Sequence, residues 1–200
     1  NTGFQPAAIP AWPFNPKEPL MSRIPLVDAT SAPAASRDIL RQIHGAFGAT
    51  PNMFRAVANS PAALQSMWAA FGALGGGVLP AQLGEKVAVA VADSNRCEYC
   101  LAAHTALGKK AGASAEQMAA AQAGRADDPQ TAAALDFALK LVRDRGQLRD
   151  ADIAALRQAG FDDGQIVELL AHVALNLFTN YVNVAFDVPV DFPKVALRAA

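Results

Sequence analysis

The sequence predicts an all-α fold, a multi-helix bundle, and three observations lead to that prediction. Hydrophobic residues make up 52% of the 200-residue chain, which is enough to close a core. From Ser36 onward, apolar residues recur three and four positions apart, the spacing that lines one face of an α-helix, and the helix-favouring residues Ala and Leu dominate. The alternation of polar and apolar residues that is typical of strands is scarce.

Residues that commonly begin and end helices divide this pattern into segments. The predicted helices cover residues 36–47, 61–74, 80–94, 97–111, 115–123, 129–145, 151–158 and 163–186. Prolines tolerated in a first helical turn and capping side chains mark the N-terminal ends, at Pro61, Pro80, Pro129, Ser114 and Asp150. Glycines suited to C-terminal caps follow at Gly75, Gly112, Gly146 and Gly160.

Residues 1–23 form a predicted proline-rich N-terminal arm, and residues 24–200 form a single helical domain. Prolines remove backbone donors and favour extended geometry, and the arm carries Pro6, Pro10, Pro13, Pro16 and Pro19. We expect Trp12 and Phe14 to dock on this subunit or on a neighbour, and Met21 to be the natural start.

The domain also contains two segments with weak sequence similarity to each other. Residues 85–104 align without gaps with residues 166–185, so that Asn95 meets Asn176. Both segments are predicted to be helical and of similar length, which indicates two related helical halves.

Charge and hydropathy exclude several classes of partner. The formal net charge is −1, with no run of Lys or Arg, so nucleic acid is not an expected partner. Even the most apolar stretch, residues 166–190, carries His, Asn and Asp, so we expect no membrane-spanning helix. The N-terminus lacks a basic leader and an apolar core, which favours the cytoplasm over secretion. In that reducing compartment a Cys-x-x-Cys pair is typically redox-active or metal-binding.

The segment with the clearest chemistry holds both cysteines, Cys97 and Cys100. Residues 93–95 (Asp-Ser-Asn) indicate a break between two helices, which places Cys97 at or near the N-terminus of the second helix. Exposed N–H groups and the positive end of the helix dipole favour a thiolate there. The thiolate, rather than the thiol, attacks a peroxide oxygen.

A histidine completes one face of this helix. Residues three and four apart share a helix face, so Cys97, Cys100 and His104 form one stripe. Cysteines spaced in this way in a first helical turn can approach disulfide geometry. The imidazole of His104 suits proton transfer at cellular pH, and Glu85 on the preceding helix could orient it.

These residues carry a family resemblance. The spacing of Glu85, Cys97, Cys100 and His104 resembles the core motif of the alkylhydroperoxidase D-like branch of the carboxymuconolactone decarboxylase-like superfamily. The stretches FGATPNMFRAVANSPAAL and NLFTNYVNVAFDVPVDFP resemble flanking signatures of its peroxidase-related members. The resemblance extends from about Ile24 to the end of the chain.

The resemblance implies an alkylhydroperoxidase D-like helical bundle, a homo-oligomer, and reduction of hydrogen peroxide or organic hydroperoxides without haem, flavin or another cofactor. It implies that Cys100 is the peroxidatic thiol and Cys97 the resolving thiol, with Glu85 and His104 as the proton relay. A dithiol reductant, either a lipoyl group or a thioredoxin-like protein, would reopen the disulfide. The best-known members have a His directly before the second cysteine, whereas this chain has Tyr99.

Three other functions stay open at this point. Zinc could be held by Cys97, Cys100, His104 and a distant fourth ligand, His172. Decarboxylation of a carboxylated lactone, the other chemistry named in the superfamily, needs no thiol pair. A redox sensor would oxidise the same two thiols without turnover.

A polar stripe on the last predicted helix gives further candidates. It comprises His172, Asn176, Asn180 and Asn183. Because buried amides and imidazoles need partners, the stripe is satisfied by water or at a subunit interface, or it forms a wall of the site. We take Tyr99, His172, Asn176 and Asn180 as candidate wall residues. The aromatic residues expected in the core are Trp68, Phe71, Phe137 and Phe178.

Overall fold

The computed structural model describes residues 22–199, and within that range the chain is all-helical, as predicted. In chain order the helices, α1 to α9, are Ala34–Phe47, Asn52–Val57, Pro61–Gly75, Ala81–Ser94, Glu98–Lys110, Ala115–Gln122, Pro129–Arg143, Asp150–Gln158 and Asp163–Ala185. None of these helices is long and apolar enough to cross a membrane. The predictions for Trp12, Phe14, Met21 and most of the arm at 1–23 lie outside the described residues.

Helix α4 forms the centre of the bundle. It packs against α5, α6, α7 and α9, and its residues 87–92, an alternation of Val and Ala, are at most 1% exposed. A helix that is apolar on all sides is stable only when other helices surround it. This central position places Glu85, in the second turn of α4, close to both α5 and α9.

Most of the residues predicted to begin or cap a helix are confirmed in that role. Ser114 caps α6 in a reciprocal arrangement with Gln117, and Pro61 and Pro129 are the first residues of α3 and α7. The glycines just beyond three helix ends have the left-handed φ that favours glycine, namely Gly112, Gly146 and Gly160.

Three of the residues predicted to begin or cap a helix are displaced by one position. Pro80 precedes α4 as its N-cap, Asp150 is the first residue of α8 after the N-cap Arg149, and Gly75 is the last residue of α3 rather than its cap. In α8 the capping carboxylate comes instead from Asp152, which accepts the backbone N–H of Arg149 at 3.0 Å.

Sequence patterns did not predict helix α2. With six residues it is too short to show a helical period, and tertiary contacts hold it: the backbone N–H of Asn52 donates to Asp191 at 2.8 Å, and its side chain donates to Pro189 O at 3.1 Å. The prediction that Phe178 is a core residue is also wrong, because its side chain is 38% exposed on α9. Phe137 is buried, and Trp68 and Phe71 are partly buried.

The C-terminal segment after α9 fixes the break between α4 and α5. Asp93, which is 4% exposed at the end of α4, accepts hydrogen bonds from Gln122 at 2.8 Å and from the Arg198 backbone and side chain at 3.0 Å. Burial opposes ionisation, but these hydrogen bonds outweigh it and hold the pKa of Asp93 below its ordinary value. The two similar segments differ at this break. Residues 85–104 span it, whereas residues 166–185 lie in one uninterrupted helix.

Candidate active site

Cys97 lies at the N-terminus of α5, as the sequence predicted. Arg96 reverses the chain with a left-handed φ of 57°, and the Cys97 N–H donates to Ala92 O at 2.9 Å. Cys97 is the N-cap residue of α5, and its sulfur accepts the backbone N–H of Cys100 at 3.2 Å. The first turn of α5 therefore directs one backbone N–H at the Cys97 sulfur, which favours negative charge on that sulfur.

The two cysteines are joined as a disulfide, with their Cα atoms 5.4 Å apart. Both are buried, being 1% and 2% exposed. On α9, the Asn183 side-chain Nδ2 lies 3.2 Å from the Cys100 sulfur. A disulfide sulfur has no proton to give, so the amide N–H is the donor in this hydrogen bond.

His104 and Glu85 form the second pair of the site. The Nδ1 of His104 on α5 lies 2.7 Å from Oε2 of Glu85 on α4, and both side chains are largely buried. Gly108, one turn after His104, allows the two helices to approach: a Cβ there would lie 2.5 Å from the Met118 side chain and 3.3 Å from the Glu85 Cβ. The Glu85 carboxylate thus fixes the orientation of the imidazole ring.

A small cavity of about 40 Å³ reaches the disulfide from the Cys100 side. Cys100 and His104 are on its wall, and Cys97 is not. Its other lining residues are mostly apolar, including Phe54, Phe71 and Phe192. A cavity of this volume has room only for a small group.

A larger cavity of about 290 Å³ adjoins the small one. The two share Phe47, Phe71, His104, Leu107 and Thr179 as lining residues. Four polar side chains besides His104 are on the wall of the larger cavity, namely Glu85, His172, Asn176 and Thr179. The remaining wall is predominantly apolar.

On the Cys97 side the surface has a polar depression of about 340 Å³. Cys97 is among its lining residues and Cys100 is not. Its polar and charged lining residues are Arg96, Glu98, Tyr99, Asn183 and Asp187. The two cysteines therefore adjoin different spaces, one mainly apolar and one mainly polar.

The residues of the polar stripe on α9 have different contacts. His172 and Asn176, two of the candidate wall residues, line the larger cavity, and Asn176 also donates to the His172 carbonyl at 2.9 Å. Asn180 lines none of these three spaces; its Oδ1 accepts from Asn95 at 3.0 Å and so ties α9 to the break after α4. Asn183, which was part of the stripe but not a predicted wall residue, contacts the Cys100 sulfur.

Tyr99 is on the wall of the small cavity and belongs to a buried pair that the sequence did not reveal. Its hydroxyl accepts the Met53 N–H at 3.2 Å, and its ring meets Phe192 edge-on at 5.6 Å. Burial, followed by the negative charge of Asp191, raises the pKa of Tyr99 well above its ordinary value. Burial likewise raises the pKa of Asp191, although hydrogen bonds from Tyr99 and Asn52 oppose the shift. The pair fastens the C-terminal segment to α2 and to the start of α5.

The four candidate zinc ligands do not lie together in the structure. Within residues 22–199 no group of three or more His, Cys, Asp and Glu side chains is placed to hold a metal ion. His172 instead lies beside Glu168, its Nε2 4.0 Å from a carboxylate oxygen.

Comparison with known proteins agrees with the fold and the motif. The carboxymuconolactone decarboxylase family matches residues 61–144. A peroxidase-related protein with an alkylhydroperoxidase AhpD core from Ralstonia eutropha JMP134 is 26% identical, with a TM-score of 0.77 over 87% of this chain and 94% of that one. A peroxidase-related protein from Silicibacter sp. TM1040 is also 26% identical, with a TM-score of 0.74 over 91% and 95% of the two chains.

The apo structure of the debrominase Bmp8 shares the fold at 18% identity, with a TM-score of 0.71 over 87% of this chain and 93% of that one. No match was found among curated protein sequences. The fold and the Cys-x-x-Cys site define an all-helical alkylhydroperoxidase D-like protein. The family match and these two structures support the assignment of the chain to the superfamily that comprises these proteins and the carboxymuconolactone decarboxylases.

Proposed function

We propose that the protein is a thiol-dependent hydroperoxide reductase that cycles Cys97 and Cys100 between dithiol and disulfide. One observation carries the proposal: Cys100 and His104 are on the wall of the same small cavity, while Glu85 holds the imidazole at 2.7 Å. A nucleophile, a proton-transfer group and a residue that orients it are therefore close to one small, mainly apolar cavity.

The reaction begins with attack of the Cys100 thiolate on the terminal oxygen of the hydroperoxide. The O–O bond breaks, Cys100 becomes a sulfenic acid, and the substrate leaves as an alcohol, or as water from hydrogen peroxide. The Cys97 thiol then condenses with the sulfenic acid to form the disulfide and release water. The protein has lost two electrons and the peroxide has gained them.

His104 supplies and removes protons in both steps. As a general acid it protonates the departing alkoxide, and as a base it takes the proton from the Cys97 thiol or from solvent. Glu85 keeps the ring in place. The Asn183 N–H stabilises negative charge on the Cys100 sulfur.

A dithiol must restore the reduced state, and we propose a lipoyl group or a thioredoxin-like protein. Attack on Cys97 from the polar depression gives a mixed disulfide and releases Cys100 as a thiolate. The second thiol of the reductant then releases Cys97 and closes its own disulfide. Consistent with that chemistry, we also propose a cytoplasmic homo-oligomer.

A turnover assay tests the proposal. Purified protein is assayed with dihydrolipoamide or reduced thioredoxin against hydrogen peroxide and cumene hydroperoxide, beside the variants Cys100→Ser, Cys97→Ser and His104→Leu. We expect both cysteine variants to lose turnover and His104→Leu to lose about 100-fold or more, the usual scale of general acid–base catalysis. Turnover that survives both cysteine substitutions contradicts the mechanism.

The family match itself favours a second candidate, decarboxylation of a carboxylated lactone. That reaction does not use the thiol pair, so activity on such a lactone that persists in the Cys97→Ser and Cys100→Ser double variant supports it. A redox sensor would instead form the disulfide once with peroxide and show no turnover with either reductant.

A further inference from the structure

The larger cavity has a polar group that the proposed reaction leaves unused. His172 is on its wall, and the Nε2 of this imidazole is buried and has no hydrogen-bond partner among residues 22–199. The nearby Glu168 oxygen is 4.0 Å away, beyond hydrogen-bonding distance. A buried nitrogen without a partner costs free energy, which a polar group of a bound molecule would recover.

Glu168 is held elsewhere. Its two carboxylate oxygens accept the backbone N–H groups of Val78 at 3.0 Å and Leu79 at 2.8 Å, in the loop between α3 and α4. Burial lowers the pKa of His172, against the opposing effect of Glu168 and Glu85, so the ring is neutral at cellular pH. A neutral imidazole offers one N–H donor and one acceptor nitrogen.

The shape of the cavity indicates what such a molecule looks like. Its volume of about 290 Å³ is far more than hydrogen peroxide needs, since a water molecule takes about 30 Å³. Its wall is largely aromatic and aliphatic, with Trp68, Phe71 and Leu175 among the lining residues. His104 belongs to this wall and to that of the small cavity, so one molecule can reach Cys100 with its O–O group and fill the larger cavity with its apolar part.

We propose that the larger cavity is a binding subsite for the body of a bulky organic hydroperoxide, and that His172 binds an uncharged hydroxyl or carbonyl group on that body. The subsite deepens, and rests on, the proposed hydroperoxide reductase function. A carboxylate in the same place is disfavoured, because Glu85 is on the cavity wall and a Glu168 oxygen lies 4.0 Å from the same imidazole nitrogen.

Three substrates that share the same apolar part and differ in one substituent test the inference. They are cumene hydroperoxide, its para-acetyl derivative and its para-carboxylate derivative, each assayed for kcat/KM at saturating dithiol. One net hydrogen bond is worth about a 2- to 10-fold preference, so we expect the acetyl compound to exceed the parent by that factor. We expect the carboxylate to fall below the parent.

Substitutions at His172 assign the preference to this residue. We expect His172→Phe to bring the acetyl-to-parent ratio to about one, and His172→Gln, which keeps hydrogen-bonding groups, to retain part of it. His44→Phe is the matched control, because His44 is exposed at the end of α1 and lines none of the three spaces. Thermal unfolding of each variant checks that the fold is intact.

Binding without reaction separates the two proposals. The corresponding alcohols, which cannot react, are titrated calorimetrically into the Cys97→Ser, Cys100→Ser double variant with and without His172→Phe. A His172-dependent preference for the acetyl alcohol supports the subsite even if the protein shows no peroxidase turnover. Equal binding of all three alcohols, or a preference that survives His172→Phe, overturns the subsite even if turnover is confirmed.

Discussion

At the residue scale, the Asn183 amide donates to a sulfur that the proposed reaction converts into a thiolate. The two residues are 83 positions apart, and both are buried. A hydrogen bond to a charged group contributes about 1.5–3 kcal/mol, more than one between neutral groups. The contact should therefore strengthen when Cys100 is reduced and ionised, so Asn183 contributes to reactivity as well as to packing.

We expect Asn183→Leu to slow the reaction of reduced protein with peroxide by about tenfold or more, the kinetic equivalent of losing such a bond. The reaction is followed by stopped-flow in a Cys97→Ser background, where Cys100 is the only thiol. The midpoint of a pH titration of thiolate absorbance should move to higher pH in the same variant.

Asn180→Leu is the matched control for this prediction. Asn180 is another buried amide on α9, but its partner is Asn95 rather than a sulfur. If both substitutions slow the reaction equally, or if the titration midpoint does not move in Asn183→Leu, the amide acts only through packing.

At the element scale, a single carboxylate joins α7 to α8. Oδ1 of Asp152 lies 2.9 Å from Lys140 Nζ on α7, and its Oδ2 caps α8 by accepting the Arg149 N–H at 3.0 Å. Hydrogen bonds from Lys140, then from Arg149, hold the pKa of Asp152 far below its ordinary value. The side chain is only 8% exposed, so solvent screens this ion pair less than a surface pair.

The sign of the pH dependence follows from that lowered pKa. The folded state binds the proton less readily than the unfolded chain, whose Asp titrates near pH 3.9, so the contribution is present above about pH 4 and is lost as the pH falls toward the folded-state pKa. We expect Asp152→Asn to lower the urea midpoint of unfolding at neutral pH. Below about pH 4, we expect the difference in midpoint between the variant and the wild type to become smaller. Urea unfolding followed by circular dichroism measures both.

Asp150→Asn serves as the charge-matched control on the same helix, because Asp150 is exposed and makes neither contact. If the difference in urea midpoint between Asp152→Asn and the wild type does not depend on pH, the ionised carboxylate is not the stabilising group.

The helices themselves differ in how far local sequence determines them. Helix α6 has its Ser114–Gln117 capping box and a helical period, so it could be located from sequence alone. Helix α2 has six residues and is held by Asp191, far along the chain, which no local pattern reveals. Helix ends were harder to place than helices, because the capping group of α8 is Asp152 inside the helix rather than a residue before it.

At the scale of the whole molecule, α9 has an apolar face that the described chain does not cover. The large hydrophobic residues exposed on it are Val167, Leu170, Phe178, Tyr181 and Val184. They share one face of the helix, opposite the side that carries Asn176 and Asn183. A contiguous apolar patch of this kind is typical of a subunit interface, and the family resemblance implies a homo-oligomer.

We expect Tyr181→Glu to shift the oligomer toward monomer, since a charge in an apolar interface must be desolvated without a partner. Sedimentation velocity at several protein concentrations measures the change. Ala35→Glu, which adds the same charge at an exposed position of α1, is the control. A wild-type protein that sediments as a monomer at all concentrations would contradict the interface.

The sequence by itself determined the helical class, the order of most helices and a candidate site whose members lie mostly on one helix. Cys97, Cys100 and His104 are three and four residues apart, and helical geometry alone puts such residues on one face. Only the tertiary structure decided which space each cysteine adjoins, that Asn183 contacts Cys100 and that the Tyr99 hydroxyl lies beside Asp191. Those contacts join residues tens of positions apart, and they depend on how α9 and the C-terminal segment pack against α4 and α5, which no local pattern encodes.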